Sequence, residues 1–77
     1  MLDTIIHAIN MNKKVLINYN GTERVIWPLE MRGNKVFIAY CEWRESYRTF
    51  KIDSIVSCET LDETFNRDAL NATTNLW

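Results

Sequence analysis

Few residues in this chain have types suited to bond-making chemistry, and they do not stand in a pattern that performs it. His7 is the one histidine, and so the one side chain whose ordinary charge change falls near neutral pH. Cys41 and Cys58 have no metal-ligand spacing, and no cluster of His, Asp or Glu accompanies them. The two glycines, Gly21 and Gly33, each stand in a turn signal, not in a loop that cradles phosphate. A catalytic site needs a base, a nucleophile or a metal, and the sequence assembles none of these. The expectation is a non-enzymatic protein without catalytic residues, metal or cofactor. What remains is charge. From Lys13 to Lys51 bases outnumber acids by eight to four, whereas the rest of the chain has one base, Arg67, against six acids. A basic middle between acidic ends hints at an anion site on the middle segment, with ordinary solvated charge as the plainer alternative.

The elements that must position these charges follow from periodicity. Leu2, Ile5, Ile6 and Ile9 fall at i, i+3, i+4 and i+7, one apolar stripe of a helix over about residues 2–12. Asp3 or Thr4 suits its start, and His7 lies off the stripe. After Lys14 the period becomes two. Val15, Ile17 and Tyr19 share one strand face, and Asn20-Gly21 is a hairpin signal. A second strand spans about Glu23 to Met31, with Pro28 marking an edge or bend. Gly33-Asn34 turns the chain into what reads as the longest strand, Lys35 to Trp43. Tyr47 to Ile52 is a fourth strand, and Ile55 to Thr60 a short fifth with Val56 and Cys58 inward. Residues 61–70 suit a short C-terminal helix capped by Asp62 and anchored by Phe65 and Leu70. The class is mainly β with an N-terminal helix. Tight turns favour a five-stranded Sm-like small β-barrel, which removes sheet edges by curling.

Seventy-seven residues make a single domain over 1–77, with the barrel over about 14–60 and a C-terminal tail over 61–77. At this size a chain buries roughly 60% of its unfolded surface and is only marginally stable. Hydrophobic residues at 47% and aromatics at 12% still supply a core. Asp3, His7 and Asn10 interrupt the first apolar residues, so no secretory leader and no membrane span is expected. A cytoplasmic location with reduced thiols is the default.

Read in order, five segments together resemble the WYL domain family. They are Ala8-Ile9; Val15-Leu16-Ile17-Asn18-Tyr19; Arg24-Val25-Ile26-Trp27-Pro28-Leu29; Val36-Phe37-Ile38-Ala39-Tyr40-Cys41; and Arg48-Thr49-Phe50-Lys51-Ile52-Asp53-Ser54-Ile55. In that family a helix bearing Ala-Ile precedes a strand that ends in tyrosine. An arginine then stands before a hydrophobic-any-proline segment. The Trp-Tyr-Leu strand follows, and last an Arg-any-Phe-basic-hydrophobic-Asp-basic-Ile segment. Two departures matter. The signature tripeptide is Val36-Phe37-Ile38, and Ser54 replaces a basic residue, one charge fewer at an anion site. Family members usually follow a helix-turn-helix domain and precede a C-terminal extension. Neither is visible here, so output is expected through another chain.

The resemblance implies a ligand-sensing module for negatively charged ligands such as nucleotides or single-stranded nucleic acid. Carried over by position, its site would use Tyr19, Arg24, Arg48 and Lys51. Arginine forks grip phosphate bidentately, and an aromatic face stacks a base. Trp27, Tyr40, Trp43 and Tyr47 are the stacking candidates, with Trp43 the one expected to be exposed beside a turn. Alternation puts Arg48 and Lys51 on opposite faces, and Arg48 is preferred. Plainer readings stand beside these: Tyr19 buried with a hydrogen bond at the barrel end, Arg24 paired with Glu23 or Glu42, Trp27 in the core. The implied function is a regulator acting in trans, or a protein that sequesters its ligand. The alternative is a protein-interaction module that docks on and inhibits or assembles a larger protein, for example in bacterial or phage defence. A homo-oligomer is also expected, because the chain is small and ends in the apolar Leu76-Trp77.

Overall fold

The computed structural model describes residues 1–71. Helix α1 (Leu2–Met11) leads into strands β1 (Lys13–Tyr19), β2 (Thr22–Arg32), β3 (Val36–Cys41) and β4 (Ser46–Lys51). A 3₁₀ turn (Ile52–Ser54), strand β5 (Ile55–Thr64) and a short helix α2 (Arg67–Asn71) follow.

Helix α1 buries Ile5 and Ala8. Neither Asp3 nor Thr4 caps it: Met1 is the N-cap and no side chain bonds there, although Asp3 lies in the first turn, where the dipole favours it. Asn12 ends the helix in the left-handed region, φ 53°, a conformation asparagine tolerates. Asn20 and Gly21 both have positive φ, 53° and 91°, and the Asn18 side chain accepts the Gly21 amide at 2.9 Å. Two consecutive positive-φ residues match the right-handed twist of a two-residue hairpin, which explains why Asn-Gly stands there.

The strands form one antiparallel sheet in the order β4-β3-β2-β1-β5. Its mainly-β class with a leading helix and a short C-terminal helix is the expected one, but the sheet is not closed into a barrel. Strand β5 spends its ladder on β1, so β4 and β5 stay as edges joined by the 3₁₀ turn. The curl brings the ends together by single bonds: the Lys51 amide donates to the Tyr19 hydroxyl at 3.0 Å, and the Asn20 amide to the Ser54 carbonyl at 3.1 Å.

Both faces are covered. On the first, Val15, Ile17, Ile26, Phe37, Ala39, Cys41, Phe50 and Ile55 pack under Ile5 and Ala8 of α1. On the second, Leu29, Ile38, Phe65 and Leu70 bury with Trp27, Tyr40 and Tyr47 packed against them. Phe65 and Leu70 are thus the anchors expected of the C-terminal segment, and Phe37 and Phe50 are core.

Four details differ from the sequence reading. Strand β3 is six residues, shorter than the eleven of β2. Strand β5 runs to Thr64, so α2 starts later, and Asn66 caps it by accepting the Asp68 amide at 2.9 Å, in place of Asp62. Val56 is 65% exposed, not inward. The cause is a register shift: Asn18 pairs with Ser57 and Tyr19 with Ile55, leaving Val56 unpaired and rotated outward, while Cys58 still packs on the first face. Both cysteines are free.

Candidate functional site

Strand alternation sets the site residues in place. On β2, Arg24 pairs with Ile17 and shares the first face with Ile26, but it stands at the open end, beyond the last β3 partner. Tyr19, at the end of β1, is half-buried and meets the Phe50 ring edge-on at 5.0 Å. Trp43 belongs to the turn between β3 and β4 and is 64% exposed.

These three converge. The Arg24 guanidinium carbon lies 5.8 Å from the Tyr19 ring centre and 5.3 Å from that of Trp43. A second guanidinium, Arg44, approaches the same indole at 5.1 Å. No carboxylate neutralises Arg24: among the described residues the ion pairs are Lys14 with Glu42 and Glu63, and Arg32 with Glu30. The expected alternative of an Arg24 pair with Glu23 or Glu42 is therefore not formed. The Arg24 Nε is buried and meets no hydrogen-bond acceptor. A buried donor without a partner costs about 1–3 kcal/mol, so this group has a standing demand for an acceptor.

Arg48 joins the first face through its Ala39 pairing and lies two residues before Phe50, half-buried and in no ion pair among the described residues. Among the described residues its guanidinium makes no cation–π contact with Tyr19 or Trp43. Lys51 is exposed on the opposite side of β4, so it contributes its backbone amide to Tyr19 and not its ammonium to the site. Trp27, Tyr40 and Tyr47 are occupied elsewhere. Trp27 stacks on Phe65 at 5.3 Å and meets Tyr40 at 4.9 Å, and the Tyr47 hydroxyl donates to the Leu70 carbonyl. Of the four stacking candidates, Trp43 alone reaches Arg24.

A further residue was not legible as part of this arrangement. Glu42 precedes Trp43, and its carboxylate accepts the Trp27 indole N–H at 2.7 Å and the Lys14 ammonium at 3.1 Å. Its amide donates to Val25 and its carbonyl accepts from Glu45, so it fixes the turn that carries Trp43. The Trp27 bond, and after it the Lys14 bond, hold the Glu42 carboxyl below the ordinary carboxylate range, against opposing burial. The Glu42 bond foremost raises Lys14. A carboxyl depressed on folding contributes stability above its unfolded pKa and loses it as pH falls through the folded value. Thermal melts from pH 7 to pH 3 should therefore show Glu42→Gln less stable than wild type at neutral pH, with the gap closing on acidification. A gap that does not change with pH would contradict this.

A cleft of about 160 Å³ lies elsewhere, lined by residues including Asn18, Glu23, Ser57 and Glu59. Its two carboxylates disfavour an anion. Among the described residues no group of three or more His, Cys, Asp or Glu could hold a metal, and no helix is long and apolar enough to cross a membrane.

The structure is a curled five-stranded sheet under one helix, with two aromatic rings at its open end beside an arginine that has no ion-pair partner among the described residues. Comparison with known proteins names its family. The family model of the WYL domain matches residues 1–60, and the chain belongs to that family. WYL domains are typically ligand-sensing or regulatory modules and are generally not catalytic. The fold is similar to part of the proteasome accessory factor B/C (PafBC) of Arthrobacter aurescens, with 25% identity and a TM-score of 0.76. The match covers 88% of this chain and 12% of that one. No curated protein matches.

Proposed function

We propose that the open end of the first face binds an anionic ligand, a nucleotide or a short single-stranded nucleic acid, through Arg24 with Tyr19 and Trp43 beside it and Arg48 on the same face. The observation that carries this reading is the state of Arg24. It is a guanidinium with rings beside it, no counter-charge among the described residues and an unsatisfied Nε. A phosphate supplies what is missing, since it accepts two parallel N–H bonds from one guanidinium. The protein regulates a partner in trans or sequesters the ligand; chemistry on the ligand is no part of this reading.

Calorimetry with a panel of nucleotides and short oligonucleotides tests it. Binding of mononucleotides supports a small-ligand sensor. Binding of longer strands alone, weakened steeply by salt, identifies a polymer. No binding across the panel defeats the proposal and favours the second reading, docking on a larger protein. The exposure of Trp43, 64%, on a turn supports that reading, because tryptophan is enriched at binding hot spots. Assembly into a homo-oligomer is part of either proposal. Its motivating residues, Leu76 and Trp77, lie outside the described residues. Light scattering decides it: a species of about 9 kDa, the mass of one chain, would refute assembly.

A further inference from the structure

The two rings on Arg24 are held very differently. Tyr19 is fixed, with its ring against Phe50 and its hydroxyl accepting the Lys51 amide. Trp43 is 64% exposed, and two guanidiniums lie over its ring. Meanwhile Arg24 Nε has no exposed surface. An anion that grips the guanidinium side-on, through Nε and one Nη, must first uncover Nε. Of the two rings, Trp43 is the one free to swing away.

We propose that Trp43 is a specificity-determining residue, a cover over Arg24 that selects anions carrying a flat ring over bare anions. This rests on the anion-site reading above. A bare phosphate that displaces the indole forfeits the cation–π contact and returns nothing to the exposed tryptophan. A nucleotide forfeits the same contact, but its base stacks on the displaced indole and more than restores the loss. The cover therefore lowers affinity for inorganic phosphate and raises it for a nucleotide. A tryptophan that served only as a platform would do the second and not the first, so the two roles differ in sign for one probe.

The test is an NMR titration of the full chain with inorganic phosphate and, separately, with adenosine 5′-monophosphate. It is run at low salt on wild type, Trp43→Ala and Trp43→Phe. Because Trp43 is exposed in a turn, Trp43→Ala should keep the fold, and the amide spectrum checks that directly. Trp43→Phe keeps a ring with a weaker cation–π contact if alanine perturbs the turn. Trp43→Ala is expected to bind inorganic phosphate about two- to fivefold more tightly than wild type, the size of one exposed cation–π contact. It should bind the nucleotide roughly five- to tenfold more weakly, a stacking loss in the middle of its usual range less the cation–π contact no longer displaced. Trp43→Phe should fall between wild type and Trp43→Ala on both probes. Phosphate affinity that falls or stays level in Trp43→Ala, with nucleotide binding still present in wild type, overturns the cover and leaves the anion site standing. Absence of binding by either probe to every variant overturns both.

Discussion

Replacing Arg67 with alanine is expected to lower the melting temperature by roughly 10–20 °C, from about 2–3 kcal/mol lost in a domain of this size. Arg67 is the one base in the acidic part of the chain, and its guanidinium ties three elements together. Nη1 donates to the Leu29 carbonyl at 2.7 Å, Nη2 to the Ile9 carbonyl at 3.2 Å and Nε to the Asn12 side chain at 3.3 Å. The Leu29 carbonyl depends on it most. The β2–β3 register skips Leu29, so the ladder leaves its carbonyl without a strand partner. The Ile9 carbonyl, in the last turn of α1, already accepts the Asn12 amide at 3.4 Å, and the guanidinium adds a second bond and a cation that complements the dipole. Removing the guanidinium leaves the Leu29 carbonyl without its donor and loosens the segment that carries Phe65 and Leu70 over the second face. Arg67→Lys should recover part of the loss, because an ammonium reaches one acceptor but cannot span three. A drop below about 3 °C in Arg67→Ala would mean that water replaces these bonds at little cost, and the account of the bulge would be wrong.

Arg24→Ala is expected to weaken nucleotide binding about ten- to a hundredfold, the loss of one or two charge-assisted hydrogen bonds. The effect on stability should be of a different kind. Arg24 takes part in no ion pair among the described residues, and its buried Nε is unsatisfied, so its removal relieves a cost while giving up two cation–π contacts. The melting temperature should hold or rise, the mark of a side chain kept for binding and not for the fold. Arg48→Ala should weaken binding less, because Arg48 shares the face without touching the aromatic pair. A large fall in stability for Arg24→Ala would instead assign it to the fold.

Much of this arrangement is written in the sequence. The stripe Leu2, Ile5, Ile6, Ile9 marks α1, and the Asn20-Gly21 signal sets the β1–β2 register that faces Arg24 inward beside Ile17. Alternation separates Arg48 from Lys51, as the buried Phe50 between them requires. What alternation cannot give is its own interruption. The extra residue at Val56 turns a side chain outward with no local pattern to mark it, and at Leu29 the neighbouring Pro28 marks a bend without giving the register shift. Sheet closure was overestimated for a related reason: strand count and turn length favour a curl but do not fix which strand β5 joins. The reach of Arg67, 38 to 58 residues back along the chain, is a tertiary fact with no signal beyond a lone base among acids. The meeting of Arg24 with Trp43 depends on a turn conformation, held by Glu42, that residue types alone do not specify.

The central claim is that ligand enters at Arg24, and a two-dimensional ¹⁵N NMR titration of wild type with a nucleoside monophosphate tests it most directly. The side-chain signals of Arg24 Nε–H and the Trp43 indole N–H should move together and saturate, while the Trp27 indole, held by Glu42 on the second face, stays in place. Shifts confined to the cleft at Glu23 and Glu59, or a spectrum that does not change, would contradict the account.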